Sequence, residues 1–78
     1  MRFRKKPVVI EALQWTGNNF KEIKEFCPSA ILDEGQLCIH TLEGLMCAQL
    51  NSWIIRGVKG EYYPCRGDIF YETYDAEE

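Results

Sequence analysis

Cations are not in excess in this sequence. Nine Lys and Arg stand against twelve Asp and Glu, a formal net charge of −3. General nucleic-acid binding needs a strong cationic footprint, so that class is not expected. Histidine occurs once, as His40, and no two of the four cysteines form a C-x-x-C pair. Zinc sites usually show such tight ligand pairs, so neither a metal nor a cofactor is expected. No apolar run approaches the roughly 20 residues of a membrane span. The run Pro7-Val8-Val9-Ile10 meets Glu11 too early to be a signal-peptide core. These absences predict a soluble protein of the cytoplasm with no membrane partner. In that compartment Cys27, Cys38, Cys47 and Cys65 are expected to be free, mostly buried thiols.

A chain of 78 residues with 46% apolar residues suits one small domain. Such a domain buries only about 60% of its unfolded surface. Charge is uneven along it. Arg2, Arg4, Lys5 and Lys6 make residues 1–6 a basic arm, and Asp75-Ala76-Glu77-Glu78 reads as an acidic, flexible tail.

Residues 7–15 (PVVIEALQW) read as the first strand, with apolar residues on both faces. That pattern suits a strand covered on both sides or a central one. Phe20, Ile23, Phe26 and Cys27 recur at helical spacing, which predicts a helix over 20–27. Asn19 is its expected cap, with Glu22 returning the bond, and Pro28 ends it. Ala30-Ile31-Leu32 suits a brief strand or a connection. Residues 36–41 and 45–50 then flank Leu42-Glu43-Gly44, and 53–56 and 61–63 flank Val58-Lys59-Gly60. Both read as hairpins with a three-residue loop whose glycine takes positive φ. The segment 68–74 is expected to be a short helix capped by Asp68. The fold class is therefore α+β: one small domain, an antiparallel sheet of about five strands with two hairpins, a helix after the first strand and a C-terminal helix.

Candidate chemistry follows from the hairpins. Lys59-Gly60 reverses the order of a phosphate loop and leads into a strand, so that reading fails. Cys38 and His40 share a strand face. A three-residue loop sets Cys38 opposite Ala48 and Cys47 opposite Ile39. A two-residue loop would instead set Cys38 opposite Cys47 and group both with His40, and the glycine's position favours the first register. Cys65 beside Arg66 is the best candidate for a reactive thiol, which needs a cationic neighbour. Arg66-Gly67-Asp68 at a helix start is a chance tripeptide. Glu11 is either a solvent-facing strand residue or a buried carboxylate.

Six of the ten aromatics follow residue 52: Trp53, Tyr62, Tyr63, Phe70, Tyr71 and Tyr74. In the expected second hairpin Arg56 faces Tyr62, while Trp53, Ile55 and Tyr63 turn to the core. Tyrosine and arginine dominate binding surfaces. The candidate binding residues are Trp53, Arg56, Lys59, Tyr62, Tyr63 and Arg66, with no catalytic residue and no metal ligand assigned.

The segments FRKKPVVIEALQWTGNN and LEGLMCAQLNSWIIRGVKGEYYPCRGDIFYETY cover nearly the whole chain. They resemble a family of short bacteriophage and prophage proteins that opens with RKKPVVIEAxQW and closes with WIIxGVxGEFYPCKPDIFxxTY. Leu50-Asn51-Ser52-Trp53 stands where that family has Pro-Gly-Asp-Trp, and Gly67 replaces its usual proline. The resemblance implies a setting, a small accessory phage product in the bacterial cytoplasm, and no chemistry. The expected function is a non-enzymatic binding module for a host or phage protein. The alternative is an oligomer that holds or sequesters a nucleotide-like small molecule. A third reading is a small metal- or thiol-dependent enzyme on Cys38, His40 and Cys65.

Overall fold

The computed structural model describes residues 1–3 and 9–74. Eight elements follow in order: β1 (Glu11–Gln14), α1 (Phe20–Phe26), β2 (Ile31–Asp33), β3 (Gln36–Thr41), β4 (Gly44–Ala48), β5 (Trp53–Arg56), β6 (Tyr62–Cys65) and α2 (Gly67–Thr73). The class is α+β, but the expected single sheet of five strands is replaced by two antiparallel sheets of three strands. Their orders are β1-β5-β6 and β2-β3-β4. The sixth strand is β2, which was readable as a connection.

The core forms where these sheets meet α1. Trp15, Ile23, Cys27, Ala30, Leu37, Ile39, Ala48 and Ile54 are buried together, with Leu13, Phe20, Phe26 and Tyr62 packed around them. Periodicity explains the set. Ile23 and Cys27 lie one helical turn apart, and Leu37 and Ile39 alternate on one face of β3. Burial of such side chains stabilises by about 1.5–3 kcal/mol each.

The first strand is shorter than expected. Val9 and Ile10 precede it, Pro7 and Val8 lie outside the described residues, and β1 is an edge strand rather than a central one. The backbone pairing continues past Gln14. Trp15 N–H donates to the Ser52 carbonyl at 2.8 Å, and Asn51 N–H donates to the Trp15 carbonyl at 2.8 Å. Both helix caps also differ. Asn19 sits at the N-cap of α1, but its side chain reaches backwards. Its Oδ1 accepts from Thr16 N–H at 3.0 Å and its Nδ2 donates to the Gln14 carbonyl at 2.8 Å. The turn after β1 thus takes the capacity that a capping box would use. At α2 the cap position is Arg66, and Asp68 lies inside the first turn, where its acid complements the helix N-terminus. The basic arm is described only as far as Phe3, and the acidic tail lies outside the described residues.

The two hairpins close differently. In the first, Thr41 pairs directly with Gly44, leaving Leu42 and Glu43 as a two-residue turn. Gly44 takes φ +106°, but as the first residue of β4 rather than the last of the loop. Thr41 Oγ1 accepts from Glu43 N–H at 3.0 Å and donates to the Gly44 carbonyl at 2.8 Å, which fixes the turn. This register sets Cys38 opposite Cys47, and the two form a disulfide with Cα atoms 3.9 Å apart. The expected register and the expectation of four free thiols are both overturned. Cys27 and Cys65 remain free.

The second hairpin keeps its expected form. Gly57 N–H donates to the Glu61 carbonyl at 2.7 Å, Gly60 takes φ +81°, and Arg56 pairs with Tyr62. A Cβ at Gly60 would meet nothing within 4 Å, so the constraint there is purely conformational. Gly60→Ala should lower unfolding free energy by about 1–2 kcal/mol through the left-handed backbone penalty. Gly35, also at positive φ in open space, should respond alike. Denaturant unfolding of the two variants checks this.

Candidate functional site

The six candidate residues do not form one patch. Strand alternation divides them between the two faces of the β1-β5-β6 sheet. Tyr62 shares a face with Ile54 and Arg56, and this is the face toward the core. Its hydroxyl donates to the Phe26 carbonyl at 2.8 Å, and its ring meets Phe26 edge-on at 5.8 Å. The expected facing is therefore reversed: the core meets the Tyr62 side rather than that of Trp53, Ile55 and Tyr63, because α1 lies over it. Arg56 is at the margin, exposed, and 4.0 Å from the exposed Glu11 across the β1–β5 ladder. Glu11 is thus the solvent-facing strand residue of the two readings. Lys59 is exposed at the hairpin tip.

The opposite face is covered by α2. Trp53 stacks on Phe70 with ring centroids 4.4 Å apart and planes 7° apart, and Tyr71 meets Trp53 edge-on at 6.1 Å. The hydroxyls of Tyr63 and Tyr74 lie 3.4 Å apart. Under this cover Ile55 is fully buried. No residue of α2 itself is buried, and stacked and edge-on rings are its main contacts with the sheet. Trp53 Nε1 is buried there without a hydrogen-bond partner. An unpaired donor of this kind costs about 1–3 kcal/mol, which weakens the docking of α2.

Arg66 lies at the start of α2, where its guanidinium holds Asp68 at 2.9 Å with both side chains in solvent. Its charge is thereby met by a carboxylate rather than left for the neighbouring thiol. Burial pushes the Cys65 thiol up from its ordinary value, and the Asp68 charge adds to that. Neither effect favours the thiolate form that nucleophilic chemistry uses. The Cys38–His40–Cys47 grouping exists by register, but the bridge occupies both sulfurs. Among the described residues no group of three or more His, Cys, Asp or Glu is placed to hold a metal.

A groove of about 440 Å³ lies between the hairpins. One wall is Leu42, Glu43 and Met46 from the first hairpin, and the other is Glu61, Tyr62 and Pro64 at the start of β6. Of the six candidates only Tyr62 and Tyr63 reach it. The lining is apolar and aromatic with two carboxylates and no Lys or Arg among the described residues. β4 and β6 are edge strands of their sheets, so both present unpaired backbone groups. Pro64 blunts β6, but β4 (GLMCA) carries neither proline nor charge. Leu42 is 88% exposed at the turn, where polar residues are the rule, and that was the available sequence signal for this site.

Comparison with protein-family models, with curated proteins and with solved structures gave no match. No helix among the described residues is long and apolar enough to cross a membrane.

Two predictions test this geometry. Tyr63 is pushed up from 10.0 to about 12, first by burial, then by the bond to the Tyr74 hydroxyl and by the charges of Tyr74 and Glu61. A pKa raised in the folded state contributes stability that is complete below the unfolded value and is lost as pH rises through the folded one. The melting temperature should therefore fall between pH 10 and 12, and less steeply in Tyr63→Phe. Separately, Phe70→Ala removes the stack on Trp53, worth about 0.5–1.5 kcal/mol beyond its buried area. Tryptophan emission should shift to longer wavelength, since Trp53 is uncovered while Trp15 stays buried at 5% exposure.

Proposed function

We propose that this chain is a non-enzymatic binding module that takes an extended segment of a host or phage protein along β4. The resemblance of the chain's two ends to phage and prophage proteins supplies the setting, the bacterial cytoplasm. The observation that carries the reading is the uncharged edge of β4 beside the acidic, apolar groove. An incoming strand would pair with the free backbone groups of β4, the mode known as β-augmentation. Its alternate side chains would enter the groove against Leu42, Met46 and Tyr62. A Lys or Arg on that segment would face Glu43 and Glu61, which supplies the charge complementarity. The hairpin turn is already fixed by the Thr41 side chain, so little ordering cost falls on this wall.

The nucleotide-like alternative has less support. It needs a tyrosine stack beside free cations. Tyr62 is engaged with Phe26, Tyr63 with Tyr74, and Arg56 and Arg66 have acidic neighbours.

Affinity capture from bacterial lysate distinguishes the surfaces. A specific partner should bind the wild type and Arg56→Ala alike. It should bind Met46→Lys at least about tenfold more weakly, the loss typical of a central contact. Met46 is 38% exposed, so the lysine has a path to solvent and the fold should survive. Loss of the partner in Arg56→Ala, with Met46→Lys unaffected, would move the site to the Arg56 margin of the second hairpin. No specific partner at all would contradict the reading.

A further inference from the structure

The Cys38–Cys47 bridge is one-sided. Cys38 is 1% exposed on the middle strand of its sheet, with Ile31 of β2 opposite it on one side and Cys47 on the other. Cys47 is exposed, and β4 is the last strand, so no further strand lies beyond it. A thiolate that opens a disulfide must approach in line with the sulfur–sulfur bond and attack one sulfur while the other leaves. The approach toward Cys38 is closed by β2, whereas the approach toward Cys47 is open along the edge of β4. Exposed disulfides are the labile ones, and small thiols abound where this chain is proposed to act.

We propose that the bridge is a thiol–disulfide exchange site whose co-substrate is a small-molecule monothiol, and that Cys47 Sγ is the sulfur attacked. The monothiol's sulfur forms a bond to Cys47 Sγ, the Cys38–Cys47 bond breaks, and Cys38 leaves as a thiolate that takes a proton from water. A second monothiol then attacks the adduct at the sulfur of the first, releasing the small-molecule disulfide and the Cys47 thiolate, which is protonated in turn. The protein gains two electrons and two protons, and two thiols are oxidised to one disulfide. The other cysteines do not compete: Cys27 is fully buried in the core, and Cys65 is half-buried at the far side of the β1-β5-β6 sheet, with its sulfur 3.6 Å from the Arg66 carbonyl. The proposal concerns the chain with β4 unoccupied, since a strand paired along that edge would close the approach to Cys47.

The test uses the oxidised full chain carrying Cys65→Ser, so that the half-buried free thiol cannot shuffle the bridge. The protein is exposed to reduced glutathione under native conditions, quenched with acid at early times and mapped by peptide mass spectrometry. The glutathione adduct should appear on Cys47 at least about tenfold ahead of Cys38, as expected when access decides which sulfur is attacked. The adduct should then give way to the dithiol with release of glutathione disulfide. Equal adducts on both cysteines, or an earlier adduct on Cys38, would overturn the assignment. So would a bridge that resists excess glutathione when native yet opens in denaturant.

Discussion

Thr41 pairs directly with Gly44, and the disulfide, the outer face of β4 and one wall of the groove depend on that pairing. A turn of two residues rather than three moves every residue of β4 by one place relative to β3. It puts Ile39, Met46 and Ala48 on the core side, and Cys38, Cys47, His40 and Leu45 on the outer side. The Thr41 hydroxyl, bonded across the turn to Glu43 N–H and the Gly44 carbonyl, is the local device that holds this choice. The disulfide then ties an edge strand with little other covering to the middle of its sheet. Closing a ring of this size stabilises by about 3 kcal/mol at most, and by less where the hairpin is already local.

A second constraint acts on the β1-β5-β6 sheet. Both of its faces are covered, one by α1 and the second sheet, the other by α2. The two covers are unequal. The α1 side is a closed core in which Ile23, Leu37 and Ile54 are fully buried. The α2 side rests on stacked rings and leaves Trp53 Nε1 without a partner. The inner face carries the closed core, and of the two covers the outer one opens at lower cost.

Periodicity made much of this legible. Phe20, Ile23 and Cys27 announced α1, and the glycines at 44 and 60 announced both hairpins and their positive φ. Three things were hidden for physical reasons. Positive φ at Gly44 is compatible with two registers, and the Thr41 side chain decides between them. Alternation correctly grouped Trp53 with Tyr63 and Arg56 with Tyr62, but it cannot say which face meets the core when both are covered. The division into two sheets rests on long-range pairing of β1 with β5, which leaves no local signature. The groove shares that difficulty, since its walls come from residues about twenty positions apart. The exposed Leu42 was its one local sign.

The most direct test of this account is the register of β3 and β4 without the bridge to enforce it. Close cross-strand pairs in an antiparallel ladder bring their α-protons together. Two-dimensional NMR of the reduced protein should show α-proton contacts for Cys38 with Cys47 and for His40 with Leu45. Contacts shifted by one residue, with Cys38 opposite Ala48, would contradict the two-residue turn. They would also contradict the faces, the exposed sulfur and the groove wall derived from it.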